Sequence, residues 1–437
     1  MRKLLIGAAV TAATLLAAPA AMAQTEIEWW HAMGGRNGEL VDQIAASFNE
    51  KQSDYVVKPV YKGNYTETLN AAIAAFRAGE PPAIVQVFEV GTATMMAAKG
   101  AIYPVYQLME DAGEPFDQSD YLPAVISYYT TTDGKLLSMP FNSSTPVMWY
   151  NKDAFKKAGL DPDAPPKTWS QVAEYSREIV DAGYPCGFSF GWQSWVQLEN
   201  FSAWHNVPFA TKENGFAGTD TELVFNSPLH VRHIQNIADW GKEGLFKYGG
   251  RRGDSLPMFN NAECAMWMNS SAYYGGIKSA AQFDFGIAKL PYYEDVDGAP
   301  QNSIIGGATL WVMQGKSDAQ YKAVAKFFTH LSSAEIQAMW HQETGYLPIT
   351  LGAYELSKKQ GFYEKEPGTD VAIQQMTAKQ PTPNSKGLRL GNFVQIRDVI
   401  NEELEAVWNG DKSAQEGLDT AVERGNELLR QFEKATN

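Results

Sequence analysis

The side chains in this 437-residue chain that could do chemistry are donors and acceptors for binding, not an assembled catalytic set. Asn142-Ser143-Ser144-Thr145 puts an amide and three hydroxyls into one short run between Pro140 and Pro146. The fixed φ and missing N–H of proline make both poor interior strand residues. Behind them, Val147 to Tyr150 is β-branched and aromatic enough for a buried strand. The polar run therefore reads as a crossing between two structural units, and ligand sites favour such interfaces. Ser270 follows the apolar Ala265-Met266-Trp267-Met268 in the position of a helix N-cap, where free N–H groups and the helix dipole favour an anion. An ordinary cap is the commoner use of such a serine. Arg397 lies on a helical run, and a guanidinium suits bidentate phosphate contact, each charged hydrogen bond being worth about 1.5–3 kcal/mol. A lone helical arginine is otherwise usually a surface ion pair, and Arg389 competes for the role.

Glu89 directly follows the apolar Val85 to Phe88, at the carboxyl end of a strand, where sheets with helical crossovers bind ligands. A carboxylate there must find partners: hydroxyls or a counter-charge in a cleft, or, more blandly, a loop salt bridge or water. His31 also sits at a strand end, and Tyr65 reads as part of the loop after the second strand. In Gly191-Trp192-Gln193-Ser194-Trp195 the glycine and polar residues argue for a loop presenting an indole; Trp192 is taken as that one, with Trp195 and Trp204 as packing. An indole face suits a polyol or a quaternary ammonium. Gly306-Gly307 within a strand-like segment is either a bulge or a close backbone approach to a ligand. An enzyme would need a metal cluster or an activated nucleophile. His230 and His233 alone fall a helical turn apart, without an acid within a turn of them, so no metal and no cofactor is expected.

The elements that position these groups alternate. Ile27 to Trp30 is a strand, Leu40, Val41, Ile44, Ala45 and Phe48 form one helical face, and Tyr55-Val56-Val57 starts the next strand. Leu69, Ile73 and Phe76 recur at helical spacing before the buried strand Ala83 to Phe88. Such βαβ units predict an α/β fold with a mostly parallel sheet. Phe285 to Pro291 and Ser303 to Trp311 read as strands passing back toward the first unit, followed by amphipathic helices around Tyr321 to Leu331 and through Ile336, Met339 and Trp340. Residues 1–23 have the basic, apolar and small-residue order of a secretory leader, with cleavage expected near Ala23. The formal charge of −14 gives no basic footprint for nucleic acid. It leaves anion binding open, because a few local donors suffice. In an exported chain Cys186 and Cys264 are free to form a disulfide or to stay as buried thiols.

Tyr150-Asn151-Lys152-Asp153-Ala154-Phe155-Lys156-Lys157-Ala158-Gly159-Leu160, followed by Pro165-Pro166-Lys167-Thr168-Trp169, resembles the extracellular solute-binding proteins of ABC importers, the group that includes maltose-binding protein. Pro140 to Val147, Tyr61 to Tyr65, Gln86 to Met96, Gln197 to Trp204, Thr344 to Thr350 and Gly387 to Asn392 are similar to the branch that binds sn-glycerol 3-phosphate. The resemblance implies a two-lobe periplasmic-binding-protein fold of α/β class, with a hinge and an interlobe ligand cleft. Its lobes would comprise residues 24–140 and 301–345 on one side and 141–300 and 346–437 on the other. It further implies Tyr65, Glu89, Ser144, Ser270, Gly307, Tyr346 and Arg397 as ligand positions, with Trp192 at the polyol or head-group end. Ser144, Ser270, the Gly307 N–H, Tyr346 and Arg397 would donate to phosphate, while Glu89 would accept from glycerol hydroxyls. The implied partners are sn-glycerol 3-phosphate or a glycerophosphodiester such as glycerophosphocholine, and two permease subunits with a cytoplasmic ATPase, met by a monomer. A neutral oligosaccharide on the same fold is the alternative ligand. Arg36 departs from the family's loop and would alter anion steering or ligand range.

Overall fold

The computed structural model describes residues 24–436; the expected leader and its cleavage point lie outside the described residues. Strand β1 (Thr25–His31) buries Ile27, Trp29 and His31 on alternate positions, and α1 (Gly35–Lys51) covers it with the predicted face of Leu40, Val41, Ile44, Ala45 and Phe48. After β2 (Tyr55–Tyr61), helix α2 (Tyr65–Ala78) is opened by a capping box in which Asn64 accepts from the Glu67 N–H and the Glu67 side chain accepts from the Asn64 N–H. Tyr65 is therefore the first helical residue and not part of a loop. The inward face of α2 is Thr68, Leu69 and Ala72, while Phe76, expected with them, is 37% exposed. The fully buried β3 (Ile84–Phe88) ends at Glu89, which starts a short 3₁₀ turn leading into α3 (Thr92–Ala97).

The remaining strands are β4 (Ile102–Tyr103), β5 (Met139–Ser144), β6 (Pro146–Asn151), β7 (Cys186–Phe190), β8 (Cys264–Ser270), β9 (Phe285–Ala288) and β10 (Gly306–Met313). They build two sheets. The first runs β2-β1-β3-β10-β4 with β5 also paired to β10, and the second runs β7-β8-β6-β9. The expected parallel order holds for β2, β1 and β3, but β10 runs antiparallel to β3, β4 and β5. The cause is where it enters: Gly306 begins β10 opposite Ser144, the last residue of β5, so the returning chain must run backward along the strand by which it left. β9 corrects a second expectation. It pairs with β6 in the second sheet, and the return to the first sheet comes only at Gly306.

The polar run around Asn142 crosses between the sheets as expected, but only at Thr145. Up to Ser144 it is strand β5, buried throughout, and Pro140 is tolerated because it faces Thr309 where the register of β10 shifts. Pro146 opens β6, a position that spares the ladder a missing donor. Thr145 alone makes the passage between the sheets, donating from Oγ1 to the Ser303 hydroxyl at 2.7 Å and to the Ile304 carbonyl at 3.0 Å. The two passages, at Thr145 and before Gly306, thus lie side by side. In the second sheet Cys186 faces Cys264 across β7 and β8 with Cα atoms 4.7 Å apart, and the two are disulfide-bonded. No helix of the described residues is long and apolar enough to cross a membrane.

Candidate functional site

A cleft of about 310 Å³ opens where the ends of the two sheets meet, and Tyr65, Glu89, Ser144, Trp192, Ser270, Gly307, Tyr346 and Arg397 all line it. Ser144 ends β5 and Ser270 ends β8, so the hydrogen bond from Ser270 Oγ to Ser144 Oγ, 2.8 Å, joins the two sheets at the cleft floor. Ser270 is the expected N-cap: its Oγ accepts from the Ala272 N–H at 3.1 Å, over the short 3₁₀ helix Ser271–Tyr273. Gly307 has φ +98°, and a Cβ there would lie 1.9 Å from the Asn142 carbonyl oxygen. Its lack of a side chain thus serves the strand pairing and also leaves backbone open to the cleft.

Two tyrosines face this floor. Tyr65 stacks on Phe88 with centroids 5.2 Å apart, and its hydroxyl accepts from Asn142 Nδ2 at 2.8 Å. Asn142 is in turn held by Gln86, whose Nε2 donates to Asn142 Oδ1 at 2.7 Å and whose Oε1 accepts from the Ala32 N–H at 2.7 Å. Tyr346 stacks on Trp340, with its hydroxyl 3.5 Å from that of Tyr65. Burial raises the pKa of both phenols, so both stay neutral and able to donate.

Beside the tyrosines stands a buried charge cluster. Arg397, on the helix Phe393–Trp408, donates from Nε and Nη2 to Glu199 at 2.7 Å each and from Nη2 to Glu89 at 2.6 Å. The side chains of Arg397, Glu89 and Glu199 are 7%, 4% and 1% exposed. Burial opposes the charge on Arg397, but the two carboxylates outweigh it and hold the guanidinium protonated. For Glu89 the balance falls the other way. Burial, helped by the Glu199 charge, raises its pKa against the pull of Arg397, because one guanidinium is shared by two acids. Of the Arg397 donors only Nη1 lacks a hydrogen-bond partner among the described residues, so most of the expected fork is already committed.

Glu199 is the partner that sequence reasoning missed. Its signal was an acid inside the apolar helical run from Trp195 to Trp204, which has to be paired. Trp192 is half-buried at φ 45°, held by its N–H to the Arg252 carbonyl at 2.9 Å, and lines the cleft with the Arg252 guanidinium 5.9 Å from its ring centroid. Trp195, assigned to packing alone, also lines the cleft, with Nε1 donating to the Ile305 carbonyl at 3.3 Å. Trp204 is packing, its Nε1 bound to the Leu290 carbonyl. His31 stays out of the cleft lining: its Nδ1 accepts from the Met33 N–H, and burial lowers its pKa to about 4. Arg389, the competitor of Arg397, points elsewhere and donates to the carbonyls of Ser127, Tyr128 and Thr130. His230 and His233 are buried against Ser202, Ser227, Gln197 and Tyr293. Among the described residues no group of three or more His, Cys, Asp or Glu is placed to hold a metal.

The cleft lining thus combines hydroxyl donors with Glu89 and Arg397, and Glu199 pairs with that arginine from behind the lining. A ligand with an anionic group and vicinal hydroxyls matches this polarity. Residues 43–369 match the family model described as bacterial extracellular solute-binding protein. The chain is 56% identical over 417 residues to the sn-glycerol-3-phosphate-binding periplasmic protein UgpB of Salmonella paratyphi A, covering 95% of each chain. It is likewise 56% identical over 430 residues to the protein of that name in Pectobacterium atrosepticum, covering 98% of this chain and 97% of the relative. Among solved structures it is similar to UgpB from Mycobacterium tuberculosis in complex with glycerophosphocholine, with a TM-score of 0.80 at 21% identity over 93% of this chain and 99% of that one. This last likeness is one of fold, and it agrees with the two-lobe α/β architecture read from the sequence.

Proposed function

The chain belongs to the bacterial extracellular solute-binding proteins, and from that membership we propose that it captures sn-glycerol 3-phosphate and glycerophosphodiesters in the periplasm and delivers them to an ABC importer. Its work is binding and hand-over, without a catalytic step. The observation that carries the reading is the convergence of Tyr65, Ser144, Ser270, Gly307 and Tyr346 on one cleft with Glu89 and Arg397, which Glu199 backs.

The phosphate lies against the hydroxyl donors. Ser144, Ser270, Tyr65 and Tyr346 can turn their O–H groups toward it, and the Gly307 backbone approaches closely. The glycerol hydroxyls lie against Glu89, which accepts, with the spare Nη1 of Arg397 donating and Trp192 covering the carbon chain. A phosphate placed against Glu89 and Glu199 would meet two carboxylates, so Arg397 acts chiefly on the polyol and as the counter-charge of those acids. We assign residues 24–144 and 306–345 to one lobe and 146–305 and 346–436 to the other, moving the breaks expected at 140 and 300 to Thr145 and the segment before Gly306, which form the hinge, because Phe141 to Ser144 still belong to the first sheet. Ligand contacts from both lobes favour the closed form, which two permease subunits and their ATPase would then read. The mature receptor, cut near Ala23, acts as a monomer.

Isothermal titration of the mature chain with sn-glycerol 3-phosphate, glycerophosphocholine and maltose tests this. Micromolar binding of the phosphate esters, about −8 kcal/mol, is expected, with no heat from maltose. Maltose bound and both phosphate esters ignored would move the chain to the sugar-binding members of its fold.

A further inference from the structure

Two buried amides behind the cleft lining fix the direction in which a hydrogen bond runs. Gln86 lies on β3 and Asn142 on β5, to either side of β10; both are fully buried, and neither lines the cleft. Ala308 of β10 stands between the two strands, facing Asn142 on one side and Phe88 on the other. The chain of bonds begins at the Ala32 N–H, 2.7 Å from Gln86 Oε1. A backbone N–H can only donate, so the oxygen of the Gln86 amide has to face it and the nitrogen has to face away. That nitrogen donates to Asn142 Oδ1 at 2.7 Å, which leaves Asn142 Nδ2 to donate to the Tyr65 hydroxyl at 2.8 Å. One peptide N–H thus orients both amides and, through them, the phenol.

A phenol oxygen that accepts from an amide keeps its own proton to give elsewhere. Tyr65 lines the cleft, so that proton goes to a ligand or to the Tyr346 hydroxyl, 3.5 Å away, which then releases its own. The serine pair follows the same rule. Ser270 Oγ accepts from the Ala272 N–H and donates to Ser144 Oγ, which leaves the Ser144 proton for the cleft. The serines can reverse by rotating two hydroxyls. The amides cannot, because reversal would turn the Gln86 nitrogen, a donor, onto the Ala32 N–H.

Resting on the phosphate placement given above, we propose that Gln86 and Asn142 are positioning residues that hold Tyr65 as a donor, so that this wall prefers the proton-free oxygens of a phosphate ester to hydroxyls that would have to donate there. Turning the relay round would aim phenol lone pairs at the phosphate.

A double-mutant cycle on Tyr65, read by calorimetry with sn-glycerol 3-phosphate, tests this. Y65F in the otherwise unaltered protein is expected to weaken binding about tenfold, the scale of one hydrogen bond to a charged group. Q86E keeps the shape, but its ionised carboxylate only accepts, so Asn142 turns its nitrogen toward that carboxylate and its oxygen toward Tyr65. The affinities are compared at about pH 9, the upper end of buried glutamate pKa values. In the Q86E background, and in Q86M, which offers the amide neither donor nor acceptor, Y65F should cost no more than about twofold, the scatter of independent sites. The cycle cancels the added charge and any general loss of stability, because both act with and without the Tyr65 hydroxyl. The same cost of Y65F in all three backgrounds, or none in the unaltered protein, overturns the relay. A measurement free of changes at Gln86 is the infrared C–O stretch of the Tyr65 phenol, isolated by subtracting the Y65F spectrum. In the ligand complex it should report a hydroxyl that accepts and donates, and one that only accepts overturns the relay as well. If sn-glycerol 3-phosphate binds while these readouts fail, the relay falls alone. If no phosphate ester binds, the proposed function falls and takes the relay's role with it.

Discussion

Glu89 shows how one residue can be both expected and misjudged. Its place after a buried strand demanded partners, and it has one in Arg397, yet Glu199 shares that partner and the site holds two acids per guanidinium. A carboxyl whose pKa is higher folded than unfolded binds its proton more tightly in the native state. Stability therefore falls as pH rises through the window from the ordinary carboxylate value, about 4.3, up to the raised Glu89 value. Glu89→Gln should flatten this part of the curve and leave Arg397 paired one to one with Glu199. Urea unfolding across that window, compared for the two proteins, checks it, and identical slopes would mean that the charged form of Glu89 is fully compensated.

At the level of elements, the second sheet carries a staple that the first lacks. The disulfide joins β7 and β8 at directly facing positions and closes a loop of 78 residues. In the loop-entropy account it stabilises by limiting the unfolded chain, by about 2–4 kcal/mol. It lies on a strand pair whose far ends, Phe190 and Ser270, lead toward the cleft. A Cys186→Ser, Cys264→Ser protein should lose about that much in urea unfolding yet keep its affinity for sn-glycerol 3-phosphate, because neither sulfur lines the cleft. Affinity lost in parallel with stability would show instead that the staple sets the position of Ser270.

For the whole molecule, the two sheets are linked by few strands of chain but by several side-chain contacts across the cleft. Ser270 bonds Ser144, and Arg397 bonds Glu89. A ligand that recruits donors from both sides adds to these contacts in the closed form alone. sn-Glycerol 3-phosphate at about one hundred times its dissociation constant should add about 2.7 kcal/mol of stability, and small-angle scattering should show the particle contracting. Stabilisation without contraction would mean that the free protein is already closed.

The sequence by itself determined several elements and their inward faces: apolar patterning placed β1, α1 and β3, and the family resemblance named eight residues that all line one cleft. It placed the crossing in the run around Asn142 but not the strand that fills it up to Ser144, because prolines and polar side chains argue against a strand until a bulge and buried hydrogen-bond partners are known. What only the tertiary structure decided are pairings between distant residues: β10 running backward beside β5, Cys186 on Cys264, and Arg397 shared by Glu89 and Glu199 across 308 and 198 positions. Local periodicity reports which face of an element is buried. It carries no record of which other element will cover that face, and so none of which charges will meet there.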